Sequence, residues 1–477
     1  MFAATTLGAA AALAVVTQDQ TRLLAAPRAD AAQQAVLWQG ETLEVRGQRL
    51  GYWQVYDHRR ERAGYVRAEQ VRTTSLKPAD ASELLHVLRF VRDTPGAEAL
   101  GIGYAAAYLK AAPVQAITAE PFDALGVMAE RLARRASTRQ GKPETLTAHL
   151  EVAAGYGVVI KGYEIDGAIR LCYDGDVFRR VLADPSAQPE QQARAAQALT
   201  RDDCTVPALR PHERIAHDRW RAEVLDRIAP AGVATLSETT RNRLRLRRAG
   251  VWATLAFGAA RRNEPALPAA ERALSELAAV NKAELADEDS AEHAEAALRV
   301  GASLWAGLAV PVTAPARLAV QTVAGEPGQT CILLIDPRQP AGTAPLHRRC
   351  THSLVWSASA RAAPNAQALT LAVQPLAGWR ELWVYRKVAG TWTLDVLPPA
   401  AVTAPDLGYV EHAGWLPDGQ RLLLAREARV DGKFRRSFEV VSLATLATEK
   451  RASDPGLLLA FGRYADPQWK RGTVSLR

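Results

Sequence analysis

The chain reads as a multidomain α+β protein: a small all-β barrel, an irregular all-α bundle or solenoid, and a C-terminal antiparallel β domain. Three observations carry that reading. The hydrophobic period along the 477 residues is two up to residue 72, helical between 79 and 310, and two again from 315. At roughly 100–200 residues per domain, the length sets an expectation of three domains, give or take one. Finally, 48% hydrophobic and 23% charged residues are the mix of an ordinary globular protein, which excludes a collagen-like or disordered chain.

The first 14 residues are expected to be a signal peptide. Phe2–Val16 is apolar and carries no charge before Asp19. It is shorter than the roughly 20 residues a spanning helix needs, and suits a secretory apolar region. Ala12 and Ala14 stand at −3 and −1 of a cut after Ala14. No Lys or Arg precedes the segment, so the alternatives are an upstream start or a buried N-terminal strand. No other stretch is long and apolar enough to cross a membrane. Export to the periplasm or beyond agrees with four cysteines, Cys172, Cys204, Cys331 and Cys350. They allow three pairings, and nearest neighbours give Cys172–Cys204 and Cys331–Cys350. The first bond would staple a helical hairpin.

Residues 15–72 carry short strands punctuated by Gly40, Gly47, Gly51 and Gly64. In GYWQVYD, Trp53 and Val55 share one face, and Tyr52, Gln54 and Tyr56 the other. Four or five such strands imply a small barrel. The series Leu23/Pro27, Gly40/Leu43/Val45, Trp53/Val55 and Gly64/Tyr65/Val66 resembles the bacterial SH3-like domain, with Leu24 in place of a frequent Arg, Tyr65 in place of a common Trp, and a Trp53–Val55 spacing one residue shorter than the family's. The resemblance implies a non-catalytic module that binds cell-wall peptide or a protein partner. Trp53 reads as core. Trp38, Tyr52, Tyr56 and Tyr65 are the candidates for an exposed aromatic groove, since aromatics bind peptides with little entropy loss. His58 and Arg59, with Arg60 and Arg62, would rim it and meet peptide carboxylates.

Residues 79–310 show about ten amphipathic segments. Leu84, Leu85, Leu88 and Val91 form one stripe; Phe122, Leu125, Met128 and Leu132 form another. The stretch from Thr145 to Ala183 is read as a helix pair. No 34-residue period marks a tetratricopeptide array. From Pro315 the strand candidates run from RLAVQTV to the terminal TVSLR. The segment GWLPDGQRLLLAREARVDGKFRRSFEVVSL resembles a TolB-like or WD40-like propeller blade, with Pro417-Asp418-Gly419 as its turn. Some 160 residues supply two full blades and part of a third, short of the four a closed propeller needs. The expectations are an open sheet packed on helices, completion by a second copy or partner, or a sandwich of hairpins. Trp356, Trp379, Trp383, Trp392 and Trp415 read as sheet core.

Lys+Arg total 59 against Asp+Glu 51, a net charge of +8 at pH 7, with only nine lysines. The arginine-for-lysine bias is what a GC-rich genome writes. No Lys/Arg block interleaved with aromatics points to nucleic acid. Wall carboxylates or lipid phosphates are the anionic partners the charge would suit. The densest run, Arg241, Arg243, Arg245, Arg247 and Arg248, is read as a solvated helix face. Asp174/Asp176 and Asp202/Asp203 read as helix-start carboxylates, with too few further oxygens for a calcium loop. His347, Cys350 and His352 could ligate a metal, but Cys331 is a ready disulfide partner. No catalytic residue, metal or cofactor is assigned. The expected function is a non-catalytic envelope binding or scaffold protein. The alternative is an envelope hydrolase with a divergent site in the helical domain.

Overall fold

A computed structural model describes residues 12–472 apart from 166, 308–316 and 341. The leader up to residue 11 and the terminal TVSLR segment lie outside the described residues. The chain divides into two compact units. One holds residues up to Arg210 together with Arg227–Leu236; the other holds Pro211–Asp226 and everything from Ser237. The helices of the 79–310 stretch are thus shared between them.

The first unit opens with seven strands, β1 (Ala12–Val16), β2 (Thr21–Leu24), β3 (Gln33–Leu37), β4 (Thr42–Arg49), β5 (Tyr52–Asp57), β6 (Arg62–Arg67) and β7 (Val71–Thr74). They form one antiparallel sheet in the order β3-β2-β6-β5-β4-β1-β7. Ala14, Val16, Leu23, Leu37, Leu43, Val55, Val66 and Val71 meet in one core, so the sheet is strongly curved. The expected barrel does not close, because no pairing joins β3 to β7 among the described residues. Seven strands stand where four or five are expected, and the first of them, β1, begins before residue 15. Ala14, Val15 and Val16 are fully buried between β4 and β7. Of the readings open for this segment, Ala12–Val16 takes that of a buried strand, and a cut after Ala14 would divide it.

Four helices follow, α1 (Ala81–Arg92), α2 (Glu98–Ala111), α3 (Glu120–Ser137) and α4 (Pro143–Gly155). Leu84, Leu88 and Val91 are buried as the stripe predicted, and so are Phe122, Leu125, Met128 and Leu132. Glycine lets α2 approach the sheet. A Cβ on Gly40, which sits at φ +86°, would lie 2.1 Å from the Ala99 carbonyl oxygen, and one on Gly103 would lie 2.7 Å from Gly40 O. The helix pair expected between Thr145 and Ala183 is present as α4 and α5 (Asp176–Ala183), but an unpredicted β-hairpin of β8 (Ile160–Ile165) and β9 (Ala168–Tyr173) separates them. The hairpin stays a two-stranded ribbon docked on α3, with Ser137 Oγ donating to Leu171 O and accepting Leu171 N. After α6 (Pro189–Leu199), the Cys172–Cys204 disulfide joins β9 to a 3₁₀ turn. The pairing is as expected, and it brackets the α5–α6 pair: Cys172, at the end of β9, lies just before α5, and Cys204 lies just after α6. Helices α7 (Pro211–Asp226) and α8 (Pro230–Thr235) then part company: α8 belongs to the first unit and α7 to the second.

In the second unit α9 (Glu238–Arg261), α10 (Leu267–Ala278) and α11 (Ser290–Ala302) share a core of Leu246, Ala249, Ala253, Leu277 and Val300, and α7 packs against α9. The arginine run on α9 is not a solvated face. Arg243 Nε donates to Asp289 at 2.8 Å, Arg247 pairs with Glu292 at 2.9 Å, and Arg248, 5% exposed, donates to Leu225 O at 2.7 Å. These guanidinium groups tie α9 to the elements around it.

The strands are β10 (Ala319–Ala324), β11 (Thr330–Ile335), β12 (His347–Thr351), β13 (Leu354–Ala362), β14 (Ala368–Leu376), β15 (Trp379–Val388) and β16 (Thr391–Leu397), then β17 (Gly408–Trp415), β18 (Arg421–Val430), β19 (Lys433–Ser442) and β20 (Thr448–Ala452). They make two sheets, β10-β11-β12 and one of eight strands from β13 to β20, whose two meanders are joined by a short parallel β15–β17 pairing and pack on each other, so that three layers result. The sheet β10-β11-β12 carries the Cys331–Cys350 disulfide on directly opposed residues. Its Ile332 and Leu334 pack on Leu369, Leu371, Val373, Trp383 and Tyr385 of the meander β13–β16. The opposite face of that meander, Leu382 and Val384, packs on Val410, Leu422, Leu424 and Val441 of the meander β17–β20. Pro417-Asp418-Gly419 makes the β17–β18 turn, with Gly419 at φ +64°. Two short helices, α12 (Leu459–Tyr464) and α13 (Pro467–Gly472), cover the outer face of the last meander through Phe461 and Trp469 against Ala413, Leu423 and Phe438. The stack therefore ends on helices, and no closed propeller forms among the described residues.

Candidate functional site

The turn between β5 and β6 builds one wall of a cleft in the first unit. Asp57 ends β5, and its buried Oδ1 accepts the backbone N–H groups of Arg59 (3.0 Å) and Arg60 (3.2 Å). That local bond fixes the turn and sends both arginines toward Glu41. Arg60 Nη1 and Nη2 grip the two Glu41 oxygens at 2.8 Å each, and Nη1 also reaches Asp57 Oδ2 at 2.8 Å. This fork holds the guanidinium well above its ordinary pKa, with the Glu41 hydrogen bond as the largest favourable cause. The opposite wall is the end of α4, with Glu151, Val152 and Tyr156, whose hydroxyl donates to Gly40 O at 2.6 Å. The space between the walls is about 440 Å³.

Arg59 is held differently from Arg60. Its guanidinium is 47% exposed and stands 3.9 Å from Glu41 and 3.4 Å from Glu151, itself 62% exposed. Geometry this loose costs little to exchange for another partner. The cleft thus has a fixed floor, Arg60–Glu41–Asp57, and an adjustable pair, Arg59–Glu151, across its mouth.

The predicted groove residues separate in the structure. His58 and Arg59 line the cleft. Tyr56 lies beside them, with the His58 ring edge-on at 4.8 Å and the Arg46 guanidinium 4.0 Å from its centroid. His58 Nε2 is also 2.7 Å from Glu44. Tyr52 is buried with Leu24 and Ala31, and Tyr65 packs against that cluster. Trp38, half-buried, follows β3. No single groove collects all six residues. Sequence reasoning missed Glu41, Asp57, Glu151 and Tyr156. An Asp immediately before His-Arg-Arg was the available signal for Asp57. Nothing local marks Glu41 or Glu151.

The second unit holds a different polar cluster, unexpected from the sequence. Arg380 of β15 is fully buried. Its Nη1 donates to the Gly301 carbonyl at the end of α11 (2.7 Å) and its Nη2 to Glu411 (3.2 Å). Trp469 Nε1 of α13 donates to the other Glu411 oxygen at 2.8 Å. Beside this chain a pit of about 30 Å³, room for about two waters, is lined by Arg361, His412, Asp466 and Gln468. Arg361 Nη2 donates to Gln468 at 2.6 Å. Burial pushes the His412 imidazole down to about 3, and the Arg361 cation adds to the shift. The pit is a core feature with bound charge.

The other chemistry-bearing residues resolve simply. Cys350 is in a disulfide, so it offers no thiolate to His347 and His352. Asp174 Oδ1 accepts Asp176 N at the start of α5. Among the described residues no three His, Cys, Asp or Glu side chains are grouped to hold a metal ion, and no helix is long and apolar enough to cross a membrane. Two disulfides are compatible with an extracytoplasmic protein. No family model, no curated protein and no solved structure matches the chain.

Proposed function

We propose that this is a non-catalytic binding protein of the bacterial envelope whose first unit holds a short wall peptide in the cleft between the β5–β6 turn and α4. The observation that carries the reading is the loose Arg59–Glu151 pair above a rigid ionic floor. A peptide bearing a carboxylate and an amine can take the place of each partner in turn, carboxylate to Arg59 and amine to Glu151, without stripping any buried charge. The SH3-like residue series supports the same reading, since Leu43/Val45, Trp53/Val55 and Gly64/Tyr65/Val66 fall on the neighbouring strands β4, β5 and β6.

The test is retention of the full chain on purified peptidoglycan, with titration of soluble wall tetrapeptide. Arg59→Ala and Glu151→Gln are each expected to weaken binding about tenfold, and amidating the peptide carboxylate is expected to abolish the effect of Arg59→Ala. Equal retention of all variants would remove the wall-peptide reading.

A further inference from the structure

The chain from Pro455 to Tyr464 presents large apolar side chains outward from elements that are otherwise well packed. In the run Leu457-Leu458-Leu459, the middle residue is 9% exposed and belongs to the core under the last meander, while its neighbours are 73% and 68% exposed. Phe461 turns inward to Phe438 and Trp469. Tyr464, 39% exposed, ends the helix. Packing therefore requires Leu458 and Phe461 and leaves Leu457 and Leu459 unused. A polar residue at either would serve the fold as well.

Between Pro455 and Ala465 the one charged side chain is a cation. Arg463, exposed and four residues after Leu459, lies on the same face of α12. Lys470 Nζ, from α13, donates to the Gly462 carbonyl at 3.2 Å, which sets a second cation against α12. Between Pro455 and Ala465 there is no carboxylate. Flanking Asp454 and Asp466 turn their Oδ1 atoms onto the backbone N–H groups of Gly456 and Gln468 at 2.7 Å each. Apolar tips with Arg463 and Lys470 at α12, and the flanking Asp454 and Asp466 turned to the backbone, fit an interface whose charge is negative and whose interior is hydrocarbon.

We infer that the α12–α13 cap docks on an anionic lipid surface, inserting Leu457 and Leu459 among the acyl chains while Arg463 and Lys470 meet lipid phosphates. Because the site lies in the second unit, it is independent of the peptide cleft. The experiment is vesicle sedimentation of the full chain on phosphatidylcholine vesicles with and without phosphatidylglycerol. Binding is expected only with the anionic lipid and is expected to fall at high salt. Leu457→Ser with Leu459→Ser should weaken it about tenfold, and Arg463→Gln with Lys470→Gln by a similar factor, with the thermal midpoint unchanged. A partition that neither pair alters, or none to any vesicle, would overturn the inference. So would a native oligomer that the leucine pair converts to monomer without lipid, which would assign this face to a second copy of the chain.

Discussion

The ion pairs of the cleft and those beneath the meanders use the same residue types to opposite ends. Arg59 and Glu151 stand in water at 3.4 Å, each more than 40% exposed. Arg380 and Glu411 stand at 3.2 Å, with Arg380 fully buried and Glu411 5% exposed. Distance barely separates the two pairs; burial separates them. In water a pair is held weakly and can be exchanged, whereas in the core each charge depends on its partner because solvent cannot replace it. Recognition belongs with the first kind and architecture with the second.

The strongest way to break that comparison is Arg380→Met. It strips Glu411 of its guanidinium and the α11 carbonyl of its donor, and should cost about 3–5 kcal/mol in urea or thermal unfolding. Adding Glu411→Gln should recover part of the loss. An effect below about 1 kcal/mol would show that the core pair is as replaceable as the surface one. Next, replacing Cys172 and Cys204 by serine opens a bridge of sequence separation 32, and should lower stability by about 3–4 kcal/mol, read from the same transitions.

A third measurement uses pH. Burial pushes the Glu427 carboxyl up to about 7, against Arg436 at 3.9 Å and with Glu411 adding to the rise. The folded state then binds a proton that the unfolded chain releases near 4.5. Stability should fall as pH climbs from that value through about 7, by at most about 3 kcal/mol. Glu427→Gln should flatten the profile and stabilise the protein at pH 8; an unchanged profile would place that titration elsewhere. Smallest of all, Arg59→Ala should move stability by less than about 0.5 kcal/mol while still weakening peptide binding. A large unfolding shift would make Arg59 part of the frame.

What the sequence made legible follows the range of the interactions involved. Period-two alternation placed Trp53 and Val55 on the core side, helical spacing placed Met128 and Leu132, and Pro417-Asp418-Gly419 announced its own turn, because each depends on neighbours within a few residues. The same uncharged alanines that suggest a cleavage site also make a buried strand, and only pairing with β4 and β7 decides what Ala12–Val16 becomes. Arg243, Arg247 and Arg248 looked solvated because their partners, Asp289, Glu292 and Leu225, lie far away in the chain. The candidate site was half visible for the same reason. The His58–Arg60 turn is local, whereas Glu41 and Glu151 reach it only through the fold.

The path of the backbone through α7 and α8 has a consequence of its own. Because Pro211–Asp226 belongs with the later residues and Arg227–Leu236 with the earlier ones, the polypeptide passes from one body to the other three times. No single cut can release either half whole. Recombination or proteolysis in this stretch would separate a helix from the unit it belongs to.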